Sequence, residues 1–113
     1  MSSTPVIVAI ARDPALLRSL AFALEAHGYG VAAFASWGEA GEAAGAASLV
    51  ILDDGLPGPE RKACLSLKDR GVPVLLLTGN HGEIERKPGL GVLAKPLSGA
   101  DVVEAVAALR RNP

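Results

Sequence analysis

The chain has 113 residues, the length of one domain, and folding at that size buries roughly 60–70% of the unfolded surface, so a core forms without staples. Half of the residues are hydrophobic but only four are aromatic, and 11 basic against 12 acidic side chains leave a net charge of −1. Such a balance lacks the electrostatic footprint of a nucleic-acid or acidic-membrane binder. The single Cys64 rules out an internal disulfide.

Ser2 to Pro5 read as a loose lead-in, and Val6-Ile7-Val8-Ala9-Ile10 as a continuous apolar run suited to a central strand. Asp13 before Pro14 is an N-cap followed by proline in the first helical position. The helix it starts sets Leu16, Leu20, Ala23 and Leu24 on one face, with Leu17 and Ala21 beside them, and closes at His27-Gly28. His27 is read as a helix-end cap in preference to a ligand or base. Gly30 to Phe34 form a second, weaker strand near an edge. Ser36 caps a second helix through about Ala46, weakened by Gly38, Gly41 and Gly45, with Trp37 as a packing or exposed anchor.

Leu49-Val50-Ile51-Leu52 then run straight into Asp53-Asp54 and a Gly55-Leu56-Pro57-Gly58 turn, the pattern of a strand buried on both faces with acids at its tip. Pro59 to Arg70 is expected as the third helix, with Ala63, Cys64 and Leu67 inward; Cys64 is read as an inert packed thiol. Val72 to Thr78 read as strand four. Gly79 to Gly91, rich in glycine and charge, read as a loop with at most one helical turn, its residues from His81 to Leu90 the most mobile internal segment. Val92-Leu93-Ala94 form a short fifth strand ending at Lys95-Pro96. A last helix starts at Ser98 or Asp101, with Val102, Val103, Val106 and Leu109 inward and Arg110 and Arg111 at its C-terminus. No apolar run approaches the roughly 20 residues of a membrane span, and no signal peptide is visible, so a cytoplasmic protein is expected.

Five apolar strands alternating with helices over short connections predict an α/β fold. The expected form is a flavodoxin-like, doubly wound five-stranded parallel sheet of order 2-1-3-4-5. Its switch point lies between Arg12/Asp13 and Asp53, and Thr78 and Lys95 arrive at the same edge. A carboxylate there is a competent nucleophile for a phosphoryl group, whose oxygens need cations and hydrogen-bond donors around them. Lys95 supplies a charge, Thr78 a donor, and the backbone after Asp53 further N–H groups, while Gly79 leaves space for the incoming group. Singly, Asp53 reads as a loop acid, Lys95 as a solvated lysine and Thr78 as a strand-end cap. Their convergence on one edge favours the reactive reading.

These residues carry a resemblance. With Asp53 and Leu56-Pro57-Gly58, Thr78-Gly79, Lys95-Pro96 and the Gly28-Tyr29-Gly30-Val31 turn, the chain resembles a response-regulator receiver domain over nearly its whole length. The resemblance implies Asp53 as phosphoacceptor, Thr78 as switch hydroxyl and Lys95 as phosphate-binding lysine, with Arg12, Asp13, Asp54, Gly55 and Gly79 lining the site. Three departures stand out. Where receivers hold Mg²⁺ with an acidic pair, this chain has Ala11 and Arg12, and only Asp13 follows as an acid. A metal set of Asp53 and Asp13 is expected to bind Mg²⁺ weakly, because that ion wants octahedral oxygen ligands. Arg12 is instead placed in the cleft, where its guanidinium suits Asp53 or a phosphoryl oxygen. Val92 replaces the family's aromatic switch residue. The span from Thr78 to Lys95 is too short for a normal fourth helix, a partial similarity to the "FAT GUY" class of single-domain receivers, with Leu76-Leu77 where that class has Phe-Ala.

The expected function is that of a single receiver domain over residues 1–113, with no output domain following. It would accept a phosphoryl group on Asp53 from a histidine kinase or phosphotransferase protein: a signalling module, not an enzyme. An Asp53–Lys95 contact is expected without phosphate. No nucleic-acid or membrane partner is expected, and the protein is read as a monomer or weak dimer. The alternative is a pseudo-receiver, a phosphorylation-independent interaction module. A small-molecule or nucleotide-binding reading finds little support, since no glycine-rich loop follows strand one, where Arg12-Asp13-Pro14 stands.

Overall fold

The computed structural model describes residues 6–79, 89–94 and 98–111. The expectations for Ser2 to Pro5, for His81 and the rest of residues 80–88, and for the Asp53–Lys95 contact lie outside these residues. Five strands, β1 (Val6–Ile10), β2 (Gly30–Phe34), β3 (Leu49–Asp53), β4 (Val74–Thr78) and β5 (Leu90–Ala94), form one sheet of order β2-β1-β3-β4-β5. Every neighbouring pair is parallel. The sequence pattern explains the order. Strands β3 and β4, apolar at nearly every position, are buried along their whole length, whereas β2 and β5 at the edges are half-exposed.

Alternate side chains of the central strands feed two cores, as a period of two requires. Val8, Ile10, Val50, Leu52, Val74 and Leu76 face one side, where Ala40, Ala44, Cys64 and Leu67 cover them. Ile7, Ala9, Leu49, Ile51, Leu75 and Leu77 face the other, against Leu20, Leu24, Val102, Val106 and Leu109.

Helix α1 (Pro14–Glu25) starts as its sequence indicates: Asp13 Oδ1 accepts a hydrogen bond from Ala15 N at 2.9 Å. At its other end His27 Nδ1 donates to Ala23 O at 3.1 Å, and Gly28 takes the left-handed conformation. Helix α2 (Trp37–Gly45) is capped by Ser36, whose Oγ accepts from Glu39 N, while Glu39 Oε2 accepts from Ala35 N. Glu60 reaches over from the next helix to accept from Trp37 N at 2.8 Å. Within α2, Gly41 adopts φ 41 and ψ −122 and kinks the helix, a consequence of three glycines in nine residues.

Three expectations on element ends are corrected. Helix α3 (Gly58–Leu65) does not run to Arg70; Ser66–Arg70 tighten into a 3-10 turn that ends at Gly71. Ser66 Oγ donates to Ala63 O at 2.6 Å, engaging the carbonyl that an α-ladder would offer to Leu67 N–H. Leu90 and Gly91, expected in the loop, belong to β5 in register with Val74 and Leu75, and β4 itself starts at Val74. Leu90 is partly buried against the first core, which holds the strand there.

The β4–β5 crossover is the shortest of the four, close to the minimum that returns a parallel strand; the expectation of a shortened fourth helix falls on residues 80–88, outside the described residues. Helix α4 (Gly99–Arg111) begins at Ser98 and not at Asp101: Ser98 Oγ accepts from Asp101 N at 3.1 Å. Its close packing on α1 needs Gly99, where a Cβ would stand 3.1 Å from Ala23 Cβ. Arg110 lies over the Tyr29 ring at 5.3 Å. Among the described residues, no helix is long and apolar enough to cross a membrane.

Candidate functional site

Strands β3 and β4 end at Asp53 and Thr78, and both side chains are almost wholly inside, at 6% and 4% exposure. A carboxylate is rarely that buried without hydrogen-bond donors. Here Asp53 Oδ2 accepts from Gly55 N at 3.2 Å. A Cβ at residue 55 would sit 2.8 Å from the same oxygen, so any larger residue there must shift the Asp53 carboxylate. Leu56 N donates to Asp53 O, and the Leu56 side chain, 3% exposed, anchors the turn in the core.

The next residue ties the two strand tips together. Asp54 N continues the ladder to Leu77 O at 2.9 Å. A regular parallel ladder would then bring Gly79 N to the main-chain oxygen of Asp54. Instead that oxygen accepts from Arg61 Nη1 of α3 at 2.9 Å, and Gly79 N donates to the Asp54 side-chain Oδ2 at 3.0 Å. Among the described residues, nothing lies within 4 Å of where a Cβ on Gly79 would stand.

The structure thus brings Asp53, Asp54, Gly55, Thr78 and Gly79 to one edge. Strand β5 ends there too, because Ala94 is in register with Thr78; Lys95, the next residue, lies outside the described residues. Arg12 and Asp13 follow the end of β1. Ala11 continues β1 inward, 1% exposed, with its N–H on Phe34 O, and the chain then turns so that Arg12 and Asp13 are exposed. Arg12 forms no ion pair with Asp53; among the described residues the ion pair that forms is Lys68–Asp69. Asp13 Oδ1 is engaged in capping α1.

A hard divalent ion needs several converging oxygens. No group of three or more His, Cys, Asp or Glu side chains able to hold a metal occurs among the described residues. Cys64, with its side chain in the core, takes no part: burial pushes its thiol from the ordinary 9.0 up to about 12.

The arrangement suits anion chemistry: a buried carboxylate facing an edge equipped with a hydroxyl and backbone donors can attack phosphorus and hold the resulting phosphoryl oxygens. Sequence reasoning placed Asp54 only as a lining residue and passed over Arg61. The adjacent acids at the strand tip were the available signal, but which N–H each carboxylate meets depends on register.

No family model matches the chain. It is 31% identical over 104 residues to the transcriptional regulator protein FixT of Rhizobium meliloti, covering 91% of this chain and 90% of that protein. The chemotaxis response regulator CheY4 of Vibrio cholerae has a TM-score of 0.78 at 18% identity, over 95% of this chain and 99% of that one. A response regulator receiver protein from Sinorhizobium medicae gives 0.78 at 22% identity, over 96% of both chains. The receiver domain of the hybrid histidine kinase CckA gives 0.75 at 26%, over 93% of this chain and 98% of that one. The two structures below 25% identity speak for the fold alone. Joined with a relative similar along nearly its full length, they place the chain in the response-regulator receiver-domain family.

Proposed function

We propose that this protein is a cytoplasmic receiver module of a two-component phosphorelay, taking a phosphoryl group on Asp53 from a histidine kinase or phosphotransferase. One observation carries the reading: the Asp53 carboxylate is buried at the tip of β3, held by Gly55 N–H, next to the buried Thr78 at the tip of β4. In the step itself an Asp53 oxygen attacks the phosphorus of a phosphohistidine. An O–P bond forms, the P–N bond breaks, and the imidazole leaves with its electron pair. Thr78 and the edge N–H groups donate to the phosphoryl oxygens, and Lys95 supplies a counter-charge. Divalent-metal affinity is weak, since Asp13 is engaged at the α1 cap and Ala11 and Arg12 offer no carboxylate. The module acts as a monomer or weak dimer and touches neither nucleic acid nor membrane.

The test is intact-mass measurement after incubation with acetyl phosphate, with and without Mg²⁺, and then with a phosphorylated histidine kinase. One phosphoryl group should appear on the wild type, be lost in mild alkali as an acyl phosphate is, and be absent from Asp53→Asn. The second reading, a pseudo-receiver, draws on the same missing acids after β1. Tight binding of a kinase with no phosphoryl transfer to Asp53 would establish it in place of the first.

A further inference from the structure

The geometry points to Asp54 as a built-in anion that occupies one of the donors the phosphoryl group needs, so that it governs how readily Asp53 is phosphorylated. The inference rests on the phosphoacceptor reading above and deepens it. Gly79 N–H is the first donor beyond β4 and has left the strand ladder. It is satisfied by a carboxylate, Asp54 Oδ2, at 3.0 Å. An N–H that already holds one anion at the sheet edge will serve another.

Arg61 keeps the arrangement in place. It donates to Asp54 O at 2.9 Å, the oxygen a further ladder bond from Gly79 N–H would use, and so competes with that bond. The side chain of Asp54 is thereby left as the acceptor for Gly79. Arg61 is fixed in turn by α3, whose N-terminal turn includes Pro57 O accepting from Arg61 N at 2.9 Å. No described residue lies within 4 Å of a Cβ placed on Gly79, so none of them crowds that side of the donor.

Two effects then oppose phosphorylation in the wild type. A phosphoryl oxygen on Asp53 must displace Asp54 from Gly79 N–H, exchanging one charge-assisted hydrogen bond for another. The displaced carboxylate also stays close to a group carrying about two negative charges, and at this exposed contact the repulsion is one that salt screens. Asp54 is a positioning residue in this account, because it acts through the Gly79 donor and not on phosphorus.

The experiment compares wild type, Asp54→Asn and Asp54→Glu for phosphorylation rate with acetyl phosphate, followed by intact mass at two ionic strengths. Asp54→Asn keeps an oxygen acceptor of the same shape and removes the charge. It should be phosphorylated about tenfold faster, a change matching the weakening of one charge-assisted hydrogen bond. The wild-type rate should rise with salt, and this dependence should be reduced in Asp54→Asn. Asp54→Glu retains the carboxylate and should stay slow. A purely structural role would instead make Asp54→Asn both less thermostable and slower. Equal rates in wild type and Asp54→Asn overturn the competition while leaving Asp53 as phosphoacceptor. If neither protein takes a phosphoryl group from acetyl phosphate or from a phosphorylated histidine kinase, the phosphoacceptor reading falls and the competition with it.

Discussion

Gly91→Ala tests how closely α4 is seated on the edge strand that leads to Lys95. Gly91 stands opposite Leu75 in β5. A Cβ there would lie 2.9 Å from Leu109 Cδ1, 3.1 Å from Leu109 Cγ and 3.2 Å from Leu75 Cδ1. Comfortable carbon contacts are about 3.5–4.0 Å, so three atoms must yield by several tenths of an ångström. Leu109 Cδ1 can rotate, but Cγ follows the helix backbone, and Leu75 is only 1% exposed. Overpacking of this kind costs about 1–3 kcal/mol. Against it stands a gain of about 0.5–1 kcal/mol from removing glycine's excess freedom in the unfolded chain. The net expectation is a loss of about 1–2 kcal/mol, or roughly 4–8 °C in Tm at this chain size. Urea melts should show a lower midpoint with an unchanged slope. In a Leu109→Ala background both Leu109 contacts vanish, so the same methyl should become neutral or favourable, a coupling of about 1–2 kcal/mol. Gly45→Ala, where a Cβ meets nothing within 4 Å, is the stabilising control. A Tm that rises in Gly91→Ala, or a cycle without coupling, would show that α4 does not press on β5 as described.

The buried Cys64 thiol, raised by burial to about 12, remains protonated in the folded state between its ordinary 9.0 and that value while the unfolded chain loses its proton. Stability should therefore fall with pH across that window by about 1.4 kcal/mol per unit from this group, and Cys64→Ala should flatten the slope in alkaline urea melts. Replacing Asp13 separates capping from metal binding: Asp13→Ala should cost about 1 kcal/mol by removing the α1 cap, while Asp13→Asn keeps most of it, both read from thermal melts. Gly55→Ala forces a methyl to within 2.8 Å of Asp53 Oδ2 and should slow phosphoryl acceptance at least tenfold in the acetyl phosphate assay, with the fold retained by circular dichroism. Ala11→Asp with Arg12→Asp places an acid at a position 1% exposed and should lower Tm without metal. Added Mg²⁺ should recover about 2.7 kcal/mol at a hundredfold excess over its Kd, and a wild type that responds equally would contradict the weak-metal reading.

The strands β1 and β2 were legible residue by residue, as were the Asp13 cap with Pro14 and the tip position of Asp53 and Thr78. Each depends on chemistry written within a few residues: unbroken apolar runs, a capping oxygen before a proline, acids followed by a turn. The doubly wound order followed from short connections between buried parallel strands. Other features had no local signal. Gly41 could be seen to weaken α2, but not to kink it, because three glycines allow several breaks and packing of Ala40 and Ala44 selects one. Leu90 and Gly91 looked like loop until pairing with Val74 and Leu75 drew them into β5. Ala11 fills the inward slot after β1 and Arg12 is exposed, a difference in burial that the residue types alone did not give. The contact of Asp54 with Gly79 joins residues 25 apart in sequence, and Arg61 reaches Asp54 across the turn into α3. Such contacts are set by the register of β3 against β4, which every residue of both strands decides together. Sequence alone therefore determined which residues reach the edge, and only the tertiary structure decided which hydrogen-bond donor each of them meets there.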